Sequence, residues 1–481
     1  MAVKRGDARR AVVVGGGITG LAACYRLITE SRKRGVPLDV KLLEASERTG
    51  GVIRTSKQDG YIIEHGPDAF ISTKPWAKAL CEELGIGDKL IGTNPKQRRS
   101  FILHKGALHP VPEGFYLMAP ASFLPFVKSP IFTWRGKLRM ALDLCIPRRR
   151  HGEEESVEHF VKRRLGTEAF TRMAQPMIGG VYTGDAKHLS LKATLPQFLE
   201  MEQAHGSIIK ALIRRKKQSK AEITGTSGPR YSLFLTLEPG MQTLVDALVG
   251  RLPPDSIQLG AEASRIEQPA NREGWRVHLN NQETIDTDIV CLALPATRAA
   301  SLTTTFAPDL SVLLASIPYA SSAAVNLAFH RKQIEHPLNG TGFVVPATEG
   351  RSILGCTFSS VKFTGRAPTD EVLLRAFVGG ALQPNQLLQS ESDLVACVLK
   401  DLRETLGIRG EPTLSIVSHH RHAMAQYHAG HMDKAATIKA QAGRLRGLAL
   451  AGNAYHGIGI PDCIHSGEQA AYTLLEYLET V

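Results

Sequence analysis

The chain has 481 residues, of which 43% are hydrophobic and 22% charged, so it is long enough for two or three domains and is not a disordered protein. Its seven cysteines lie far apart without a C-x-x-C pair, which argues against a zinc site and a disulfide framework and suits a reducing compartment. The net charge of +12 fits a solvated basic face, an anionic substrate or an anionic membrane surface. We expect no nucleic-acid partner, since the chain carries no recognition motif for one.

The N-terminal segment combines a strand, a glycine-rich turn and the start of a helix. The apolar residues 11–14 predict a buried parallel strand, and the glycines after them complete the pattern G-x-G-x-x-G. In such a turn the first glycine permits the tight bend, the second lets the backbone approach a pyrophosphate, and the third lets the helix pack on the strand. The free N–H groups of the helix N-terminus complete an anion site. The predicted contacts are Gly15, Gly16, Gly17, Ile18, Thr19 and Gly20.

The second predicted strand ends on an acidic residue. Glu44 stands at the position where a carboxylate accepts hydrogen bonds from a ribose of a bound dinucleotide. Two glycines, Gly50 and Gly51, then let the chain turn beside the ligand. Arg48 and Arg54 flank them, so both arginines are candidates for contact with phosphate oxygens.

Further along, the pattern alternates between strands and helices. We predict a strand and turn at 61–67, a helix at 241–248, and strands at 275–279, 288–294, 323–329 and 373–378. The basic cluster at 214–217 is expected to end a helical region, and a polar loop, 225–229, to follow it. The C-terminal part is predicted to form a short apolar strand, a glycine-rich loop and a helix with Asp462 near its start as a candidate cap.

These elements predict an α/β chain, α+β overall, with a Rossmann-type domain assembled from separated pieces. The pieces are residues 1–91, 236–300 and 440–481. A helix-rich block, 92–205, follows the first piece. Residues 206–235 and 301–439 are predicted to form a sheet-bearing substrate domain.

One segment, 114–134, is rich in aromatic and aliphatic residues but contains three prolines and Lys128. No stretch reaches the roughly 20 apolar residues of a spanning helix, and the apolar run near the N-terminus is needed as a strand rather than as a secretory signal. We therefore expect a cytoplasmic protein. With the basic neighbours Arg135, Lys137 and Arg139, the segment leaves three interpretations open: a packed loop, the cover of a hydrophobic tunnel, and a peripheral contact with the cytoplasmic membrane face.

Motifs spread from about residue 10 to 475 match one family. They are E-A-x-x-R-x-G-G at 44–51, H-G-P-D-A-F at 65–70, G-A-L-H-P-V-P at 106–112, R-R-L-G at 163–166, G-G-V-Y-T-G-D at 179–185, G-T-G-F-V-V-P at 340–346, F-V-G-G at 377–380, Q-Y-x-x-G-H at 426–431, and G-N-A-Y-x-G-x-G-I-P-D-C-I at 452–464. Together they resemble the protoporphyrinogen and coproporphyrinogen III oxidases of the amine oxidase flavoprotein superfamily.

This resemblance implies that the cofactor is FAD. Besides the N-terminal turn, the positions that match FAD contacts are Glu44, Ala45, Arg48, Gly66, Pro67, Asp68, Ala69, Ala263, Ile460, Pro461 and Asp462. Ala263 is smaller than the valine that the family often has there.

The resemblance also implies the reaction, in heme biosynthesis. A porphyrinogen loses six electrons in three two-electron steps to FAD, and oxygen reoxidises the flavin each time. A hydride leaving a meso carbon needs a flat apolar cleft that holds the macrocycle against the flavin. We therefore expect neither a catalytic acid–base pair nor a metal.

The substrate side departs from the family at several positions. Its candidates are Arg99, Gly180, Thr341, Val344 and Phe377. Thr341 and Phe377 replace a Phe and a Met of some relatives. Ser100 stands where several relatives have an arginine for a propionate, with Arg98 and Arg99 just before it. The choice between protoporphyrinogen IX and coproporphyrinogen III therefore stays open, as does a homodimer.

Two other function classes stay open at this point. One is another FAD oxidase or desaturase, acting on amines or carotenoids. Amine oxidases present paired aromatic residues to the flavin, whereas aromatic residues are only 6% of this chain. The other is a binding protein that retains the fold without catalysis, against which the intact Glu44, Arg48 and glycine loops argue.

Overall fold

The computed structural model describes residues 8–149, 154–222, 233–270 and 272–481, and of residues 217–222 only the backbone. The described strands are, in chain order, β1 (Arg9–Val14), β2 (Leu38–Leu43), β3 (Thr55–Gln58), β4 (Tyr61–Glu64), β5 (Phe70–Ile71), β6 (Leu90–Gly92), β7 (Phe101–His104), β8 (Ala107–Pro110), β9 (Phe115–Tyr116), β10 (Ala119–Pro120), β11 (Phe234–Leu237), β12 (Ile257–Gln258), β13 (Ala263–Glu267), β14 (Trp275–Leu279), β15 (Thr284–Thr287), β16 (Ile289–Leu292), β17 (Tyr319–His330), β18 (Gly342–Val344), β19 (Ile353–Phe358), β20 (Glu371–Gly379), β21 (Leu414–Ala425) and β22 (Leu448–Leu450).

The described α-helices are, in the same order, α1 (Ile18–Arg34), α2 (Trp76–Glu83), α3 (Phe123–Lys128), α4 (Trp134–Ala141), α5 (Val157–Arg164), α6 (Thr167–Ala169), α7 (Gln175–Tyr182), α8 (Leu191–Thr194), α9 (Pro196–His205), α10 (Ile208–Glu222), α11 (Gln242–Val249), α12 (Ala296–Thr303), α13 (Pro308–Ala315), α14 (Ser359–Lys362), α15 (Glu391–Leu406), α16 (His431–Ala442) and α17 (Ile460–Thr480).

A five-stranded parallel sheet forms the centre of the first layer, in the order β12-β2-β1-β16-β22. Its strands are short and apolar, and the four residues at the end of β1 are buried, as expected for a parallel sheet covered on both faces. Helices α1 and α17 pack against one face. The sheet draws strands from the N-terminal region, from the middle of the chain and from the C-terminal region. The predicted α/β class with a Rossmann-type domain is confirmed.

A seven-stranded mixed sheet forms the second layer, in the order β21-β17-β20-β19-β18-β7-β8. One face packs on α15 through a cluster of buried aliphatic and aromatic side chains. The other face meets the first layer, since the Asn326 side chain on β17 donates to the Glu64 carbonyl at 3.3 Å. The first layer therefore contacts this face of the seven-stranded sheet.

The helical region packs around its own core of buried Phe, Leu, Ile and Met side chains. Helix α10 adds Ile208, Ile209 and Leu212 to this core. Strands β7 and β8 instead extend the seven-stranded sheet. We therefore propose to count α10 with the helical block and β7 and β8 with the substrate sheet, which redraws the predicted division at 92–205 and 206–235.

Two local expectations are wrong. The basic cluster at 214–217 does not end the helical region, because α10 continues through it to Glu222. The predicted strand at 288–294 is shorter, since β16 covers only Ile289–Leu292. The predicted strand at 275–279 coincides with β14, and those at 323–329 and 373–378 lie inside β17 and β20. The predicted loop at 225–229 lies outside the described residues.

Within the described ranges, none of the helices has the length and apolar character needed to cross a membrane.

Candidate functional site

The glycines of the N-terminal turn differ in what surrounds them. Gly15 has a φ of +106°, which favours glycine, and a Cβ there would lie 2.4 Å from the Ala293 carbonyl oxygen. A Cβ on Gly20 would lie 1.8 Å from the Gly15 carbonyl oxygen, so α1 packs directly on the turn. Gly17 caps α1, and a Cβ there would meet no described atom within 4 Å. The open space at this helix N-terminus fits a pyrophosphate.

A cavity of about 280 Å³ continues from this turn. Gly15, Glu44, Ala45 and Ala263, which are predicted to contact the cofactor, line it together with Ala261 and Glu262. Its walls combine aliphatic side chains with a few polar groups, as ligand sites do. This volume lies at the carboxyl ends of β1 and β2, where open α/β sheets bind their ligands.

The carboxylate of Glu44 is already engaged by the backbone. One oxygen accepts the Gly16 N–H at 2.7 Å, and the other accepts the Ser46 N–H at 2.9 Å and the Ser46 hydroxyl at 2.7 Å. Each carboxylate oxygen has two lone pairs, so the one on the Gly16 side retains capacity for a ribose hydroxyl. Glu44 therefore holds the glycine-rich turn in place and also lines the cavity beside it.

Arg48 folds back onto its own loop. Its guanidinium donates to the carbonyls of Thr49, Ile53 and Gly51, the first two at 3.0 and 3.1 Å. The Gly50 N–H donates to the Gly16 carbonyl at 2.8 Å, which ties the loop to the phosphate-binding turn. Contact of Arg48 with a phosphate therefore stays a prediction, whereas its role in holding this loop is direct.

The turn Gly66 to Ala69 is fixed by neighbours on both layers. A Cβ on Gly66 would lie 1.7 Å from the Val52 carbonyl oxygen, so only glycine fits there. The Asp68 carboxylate accepts from Lys362 Nζ at 2.8 Å. The Gly66 carbonyl accepts from the buried Arg375. No sequence motif announced either cation, because both pairings join residues about 300 positions apart.

The C-terminal loop ends at helix α17, which begins with Ile460 and Pro461. Asp462 is not its cap, because Gly459 occupies that position without a side-chain bond and Asp462 is the third helical residue. The Asp462 carboxylate instead accepts from Lys74 Nζ at 2.6 and 2.8 Å. It still adds negative charge at the positive end of the helix.

Tyr427 clamps the same loop from the substrate layer. Its hydroxyl donates to the Asn453 carbonyl at 2.6 Å and accepts the Gly457 N–H at 2.7 Å. The His431 ring stacks on Tyr427 with a centroid distance of 3.9 Å, and its Nε2 lies 3.2 Å from the Tyr455 carbonyl. The motif at 426–431 therefore supports the glycine-rich loop, a role that its sequence did not reveal.

Two substrate candidates, Val344 and Phe377, lie on the same face of the seven-stranded sheet, with one strand between them. Cross-strand pairing puts Val344 opposite Gly355 and Gly355 opposite Phe377, and directly opposed residues share a face. Phe377 is half-buried between buried neighbours on β20, so it is not a core residue. A Cβ on Gly180 would lie 3.6 Å from Val344 Cγ1, which places α7 over this row.

Thr341 and Arg99 meet at the edge of this sheet. The Arg99 carbonyl accepts the Thr341 N–H at 2.7 Å, and the Ser100 hydroxyl lies 3.2 Å from the Thr341 hydroxyl. The Arg99 side chain is exposed. The structure therefore brings Thr341 and Ser100 together, and the contact of the Arg99 guanidinium with a propionate stays a prediction.

His65 bridges the two layers beside the turn Gly66 to Ala69. His65 Nε2 lies 2.8 Å from the Ser56 hydroxyl, and Nδ1 lies 2.8 Å from the Ser418 hydroxyl on β21. Burial and the positive charge of Arg54 lower the pKa of His65 to about 4. The imidazole is therefore neutral at pH 7 and acts as a hydrogen-bonding bridge.

Comparison with known proteins agrees with this geometry. Residues 18–475 match the family of flavin-containing amine oxidoreductases. The chain is 34% identical to the coproporphyrinogen III oxidase of Bacillus subtilis (98% of each chain) and 32% identical to the protoporphyrinogen oxidase of Bos taurus (97% of this chain and 98% of that one). A solved structure from Exiguobacterium sp. 255-15, assigned as a protoporphyrinogen oxidase, superposes with a TM-score of 0.84 at 31% identity and covers 98% of this chain and 99% of its own. The chain therefore belongs to the flavin-containing amine oxidoreductases, whose cofactor is FAD, and within them to the porphyrinogen oxidases.

Proposed function

We propose that this chain is an FAD-dependent oxidase of a porphyrinogen and that its substrate is coproporphyrinogen III. One observation carries the reaction class: the turn that matches a cofactor contact and the sheet face that carries a substrate candidate meet at one residue. The Arg375 guanidinium donates to the Gly66 carbonyl and lies 4.9 Å from the ring centroid of Phe377. A cofactor and a macrocycle can react only where the residues that hold them come together.

The proposed work of the protein is to bind and orient. The turn Gly15–Gly20 and the α1 N-terminus hold the pyrophosphate, and Glu44 holds a ribose. When bound, FAD supplies the chemistry by accepting two electrons at a time. Gly355, which lies between Val344 and Phe377, leaves the sheet face flat, so that these two can border a macrocycle without a side chain between them. Oxygen is the proposed electron acceptor.

Coproporphyrinogen III is favoured over protoporphyrinogen IX by the comparison with relatives. The Bacillus subtilis relative named for it is 34% identical over 98% of both chains. The four propionates of coproporphyrinogen need partners spread around the macrocycle, because each buried carboxylate without one weakens binding by several kcal/mol. The exposed Arg99, which precedes Ser100 at the sheet edge, is the proposed partner of one of them.

Aerobic turnover of each porphyrinogen by the purified yellow protein tests this assignment. Porphyrin fluorescence gives the initial rates, and kcat/KM is compared between the two substrates. We expect a kcat/KM for coproporphyrinogen III at least 10-fold above that for protoporphyrinogen IX. A preference for protoporphyrinogen IX would overturn the substrate assignment, and a flavin-loaded protein that oxidises neither would overturn the function.

We further propose that the helical region contacts an anionic membrane surface. Trp134 and Leu138 on α4, followed by Leu142, form a stripe at i, i+4 and i+8, exposed by 66%, 68% and 52%. Phe123 and Leu124 on α3 are also exposed. We call these five side chains the apolar stripe. An amphipathic surface of this kind lies in a membrane interface when basic groups flank it.

Basic side chains border the apolar stripe. Lys128 and Arg135 are exposed on α3 and α4. On α10, Lys216 Nζ contacts the Ser122 hydroxyl and the Arg215 guanidinium lies over the Tyr116 ring, which brings this part of the helix beside α3. The occupant proposed here is therefore a bilayer rich in anionic lipid, attracted by these charges.

Co-sedimentation with phosphatidylglycerol vesicles tests the membrane proposal. The protein should sediment with the vesicles at low salt and less at high salt, because screening weakens the attraction between exposed charges and lipid headgroups. Leu138→Glu should reduce the bound fraction, whereas Val312→Glu should not, since Val312 is equally exposed on α13 of the first layer. Equal recovery with and without anionic lipid would contradict the proposal.

A further inference from the structure

A cluster of charged side chains lies where the first layer meets the seven-stranded sheet. We call it the interlayer cluster; its members are Glu64, Asp68, Lys362, Arg366 and Arg375. Glu64, Arg366 and Arg375 are buried, with exposures of 5%, 2% and 5%. Three cations and two carboxylates leave the cluster with an excess of one positive charge.

The carboxylates of the cluster are bound to groups other than Arg375. Asp68 accepts from Lys362 Nζ at 2.8 Å. Glu64 accepts the Met241 N–H at 2.9 Å and the Thr55 hydroxyl at 2.7 Å. Glu64 also lies 4.0 Å from the Arg366 guanidinium, so Arg375 is the cation of the cluster that has no carboxylate within salt-bridge distance among the described residues.

Arg375 lacks the partners that a buried guanidinium usually has. One terminal nitrogen donates to the neutral carbonyl of Gly66, and Nε has no hydrogen-bond partner among the described residues. Burying a cation with so few partners costs stability. Such a cost at one position suggests that the charge serves a function there.

Arg375 contacts both the turn that matches a cofactor contact and the sheet face that carries a substrate candidate. Its guanidinium donates to the Gly66 carbonyl in the turn Gly66 to Ala69. It also lies 4.9 Å from the ring centroid of Phe377, a candidate for substrate contact. A hydride can pass from substrate to flavin only where this turn and this face meet. The excess charge is therefore buried close to the reacting region, where low dielectric strengthens its field.

We propose that Arg375 is a positioning residue that acts through the Gly66 turn and stabilises the reduced form of the bound flavin. Uptake of a hydride adds two electrons and one proton to the oxidised flavin and leaves one negative charge on the ring. The positive charge of the interlayer cluster offsets that negative charge, so the flavin becomes easier to reduce. This inference rests on the assignment of FAD and does not depend on which porphyrinogen is oxidised.

The midpoint potential of the bound flavin in the intact holoenzyme tests it. Arg375→Met should lower the potential by about 30 mV or more, which corresponds to a tenfold loss of affinity for reduced relative to oxidised FAD in a two-electron couple. Arg375→Lys, which retains the charge, should recover most of the wild-type potential. A structural role alone would change flavin retention or thermal stability and leave the potential unchanged.

Two further variants keep the test decisive. If Arg375→Met purifies without flavin, Lys362→Met removes the same unit of charge from the cluster and should lower the potential in the same direction. Arg409→Met removes an exposed arginine that lies outside the interlayer cluster and pairs with Glu335, so it should leave the potential unchanged. An unchanged potential in the flavin-loaded Arg375→Met protein, or in Lys362→Met if the first is lost, would overturn the proposal. Because this readout needs no substrate, it is independent of failure to oxidise a porphyrinogen.

Discussion

At the scale of single residues, two glycines of one turn serve different ends. The missing side chain of Gly20 makes room for protein, because a Cβ would lie 1.8 Å from a backbone oxygen. At Gly17 a Cβ would meet no described atom within 4 Å, so the missing side chain leaves room for a ligand. The backbone of Gly17 is extended, with φ −69° and ψ 177°, so any residue could adopt it.

Gly17→Val should therefore abolish FAD retention without unfolding the protein. The valine side chain would occupy the space of the pyrophosphate, while the N-cap geometry of α1 is retained. The ratio of flavin to protein absorbance after purification measures retention, and circular dichroism measures the fold. Gly20→Val is the contrasting variant and should lower the unfolding temperature. A folded Gly17→Val protein with a normal flavin ratio would disprove the cofactor site.

Arg99→Ala should raise the KM for coproporphyrinogen III by roughly 10-fold, since one charge-assisted hydrogen bond contributes about 1.5–3 kcal/mol. The backbone bond from Thr341 to the Arg99 carbonyl is retained in this variant, so the sheet edge is unchanged. Steady-state kinetics gives KM, and the flavin spectrum should stay the same. Arg98→Ala, the exposed neighbour, serves as the matched control. An unchanged KM would mean that Arg99 does not contact the substrate.

Sequence motifs predicted single residues well only where the partner is the local backbone. The role of Gly20 follows from the spacing of the turn, and the structure has the close contact with the Gly15 carbonyl that this spacing requires. The pairing of Arg375 with Gly66 joins residues 309 positions apart, and no local pattern encodes it. Asp462 was wrongly expected to cap α17, because the distant Lys74 supplies its partner.

At the scale of elements, the glycine-rich loop before α17 is held by Tyr427, which lies between β21 and α16. Tyr427→Phe removes one hydroxyl and leaves the Gly457 N–H and the Asn453 carbonyl without their partner. We expect a loss of about 1–3 kcal/mol in the free energy of unfolding, because unsatisfied buried polar groups are costly. Chemical denaturation measures it. Tyr472→Phe on α17 should have little effect, and equal stabilities of the two variants would contradict the clamp.

Strands were more predictable than the boundaries between layers. The alternation of apolar and polar residues at 275–279 predicted both ends of β14 correctly, since a half-buried strand has a period of two. The basic residues at 214–217 were wrongly expected to end the helical region, because α10 continues to Glu222 and its apolar face packs into the helical core. Which layer an element joins is decided by packing partners that are distant in sequence.

At the scale of the whole molecule, buried neutral histidines make stability depend on pH. Burial lowers the pKa of His431 to about 4, although its bond to the Tyr455 carbonyl opposes this shift. Below pH 6.5 the unfolded chain binds a proton that the folded protein does not, so stability falls as the pH drops from 6.5 towards 4.

His431→Gln should flatten this dependence, by at most about 1.4 kcal/mol per pH unit. Denaturant midpoints for both proteins between pH 4 and pH 7 measure the difference. His431 is the residue of choice because it is buried and stacked on Tyr427. Parallel pH profiles for the two proteins would show that His431 does not titrate differently on unfolding.

We propose that porphyrinogen oxidation takes place where the turn Gly66 to Ala69 meets the sheet face that carries Phe377. Oxygen uptake and porphyrin fluorescence, recorded together during turnover of coproporphyrinogen III, test this claim most directly. We predict that the yellow protein consumes about three molecules of oxygen per porphyrin formed, and that Gly17→Val forms none above the uncatalysed rate. A flavin-loaded protein that forms no porphyrin, or a flavin-free variant that forms it at the wild-type rate, would contradict the account.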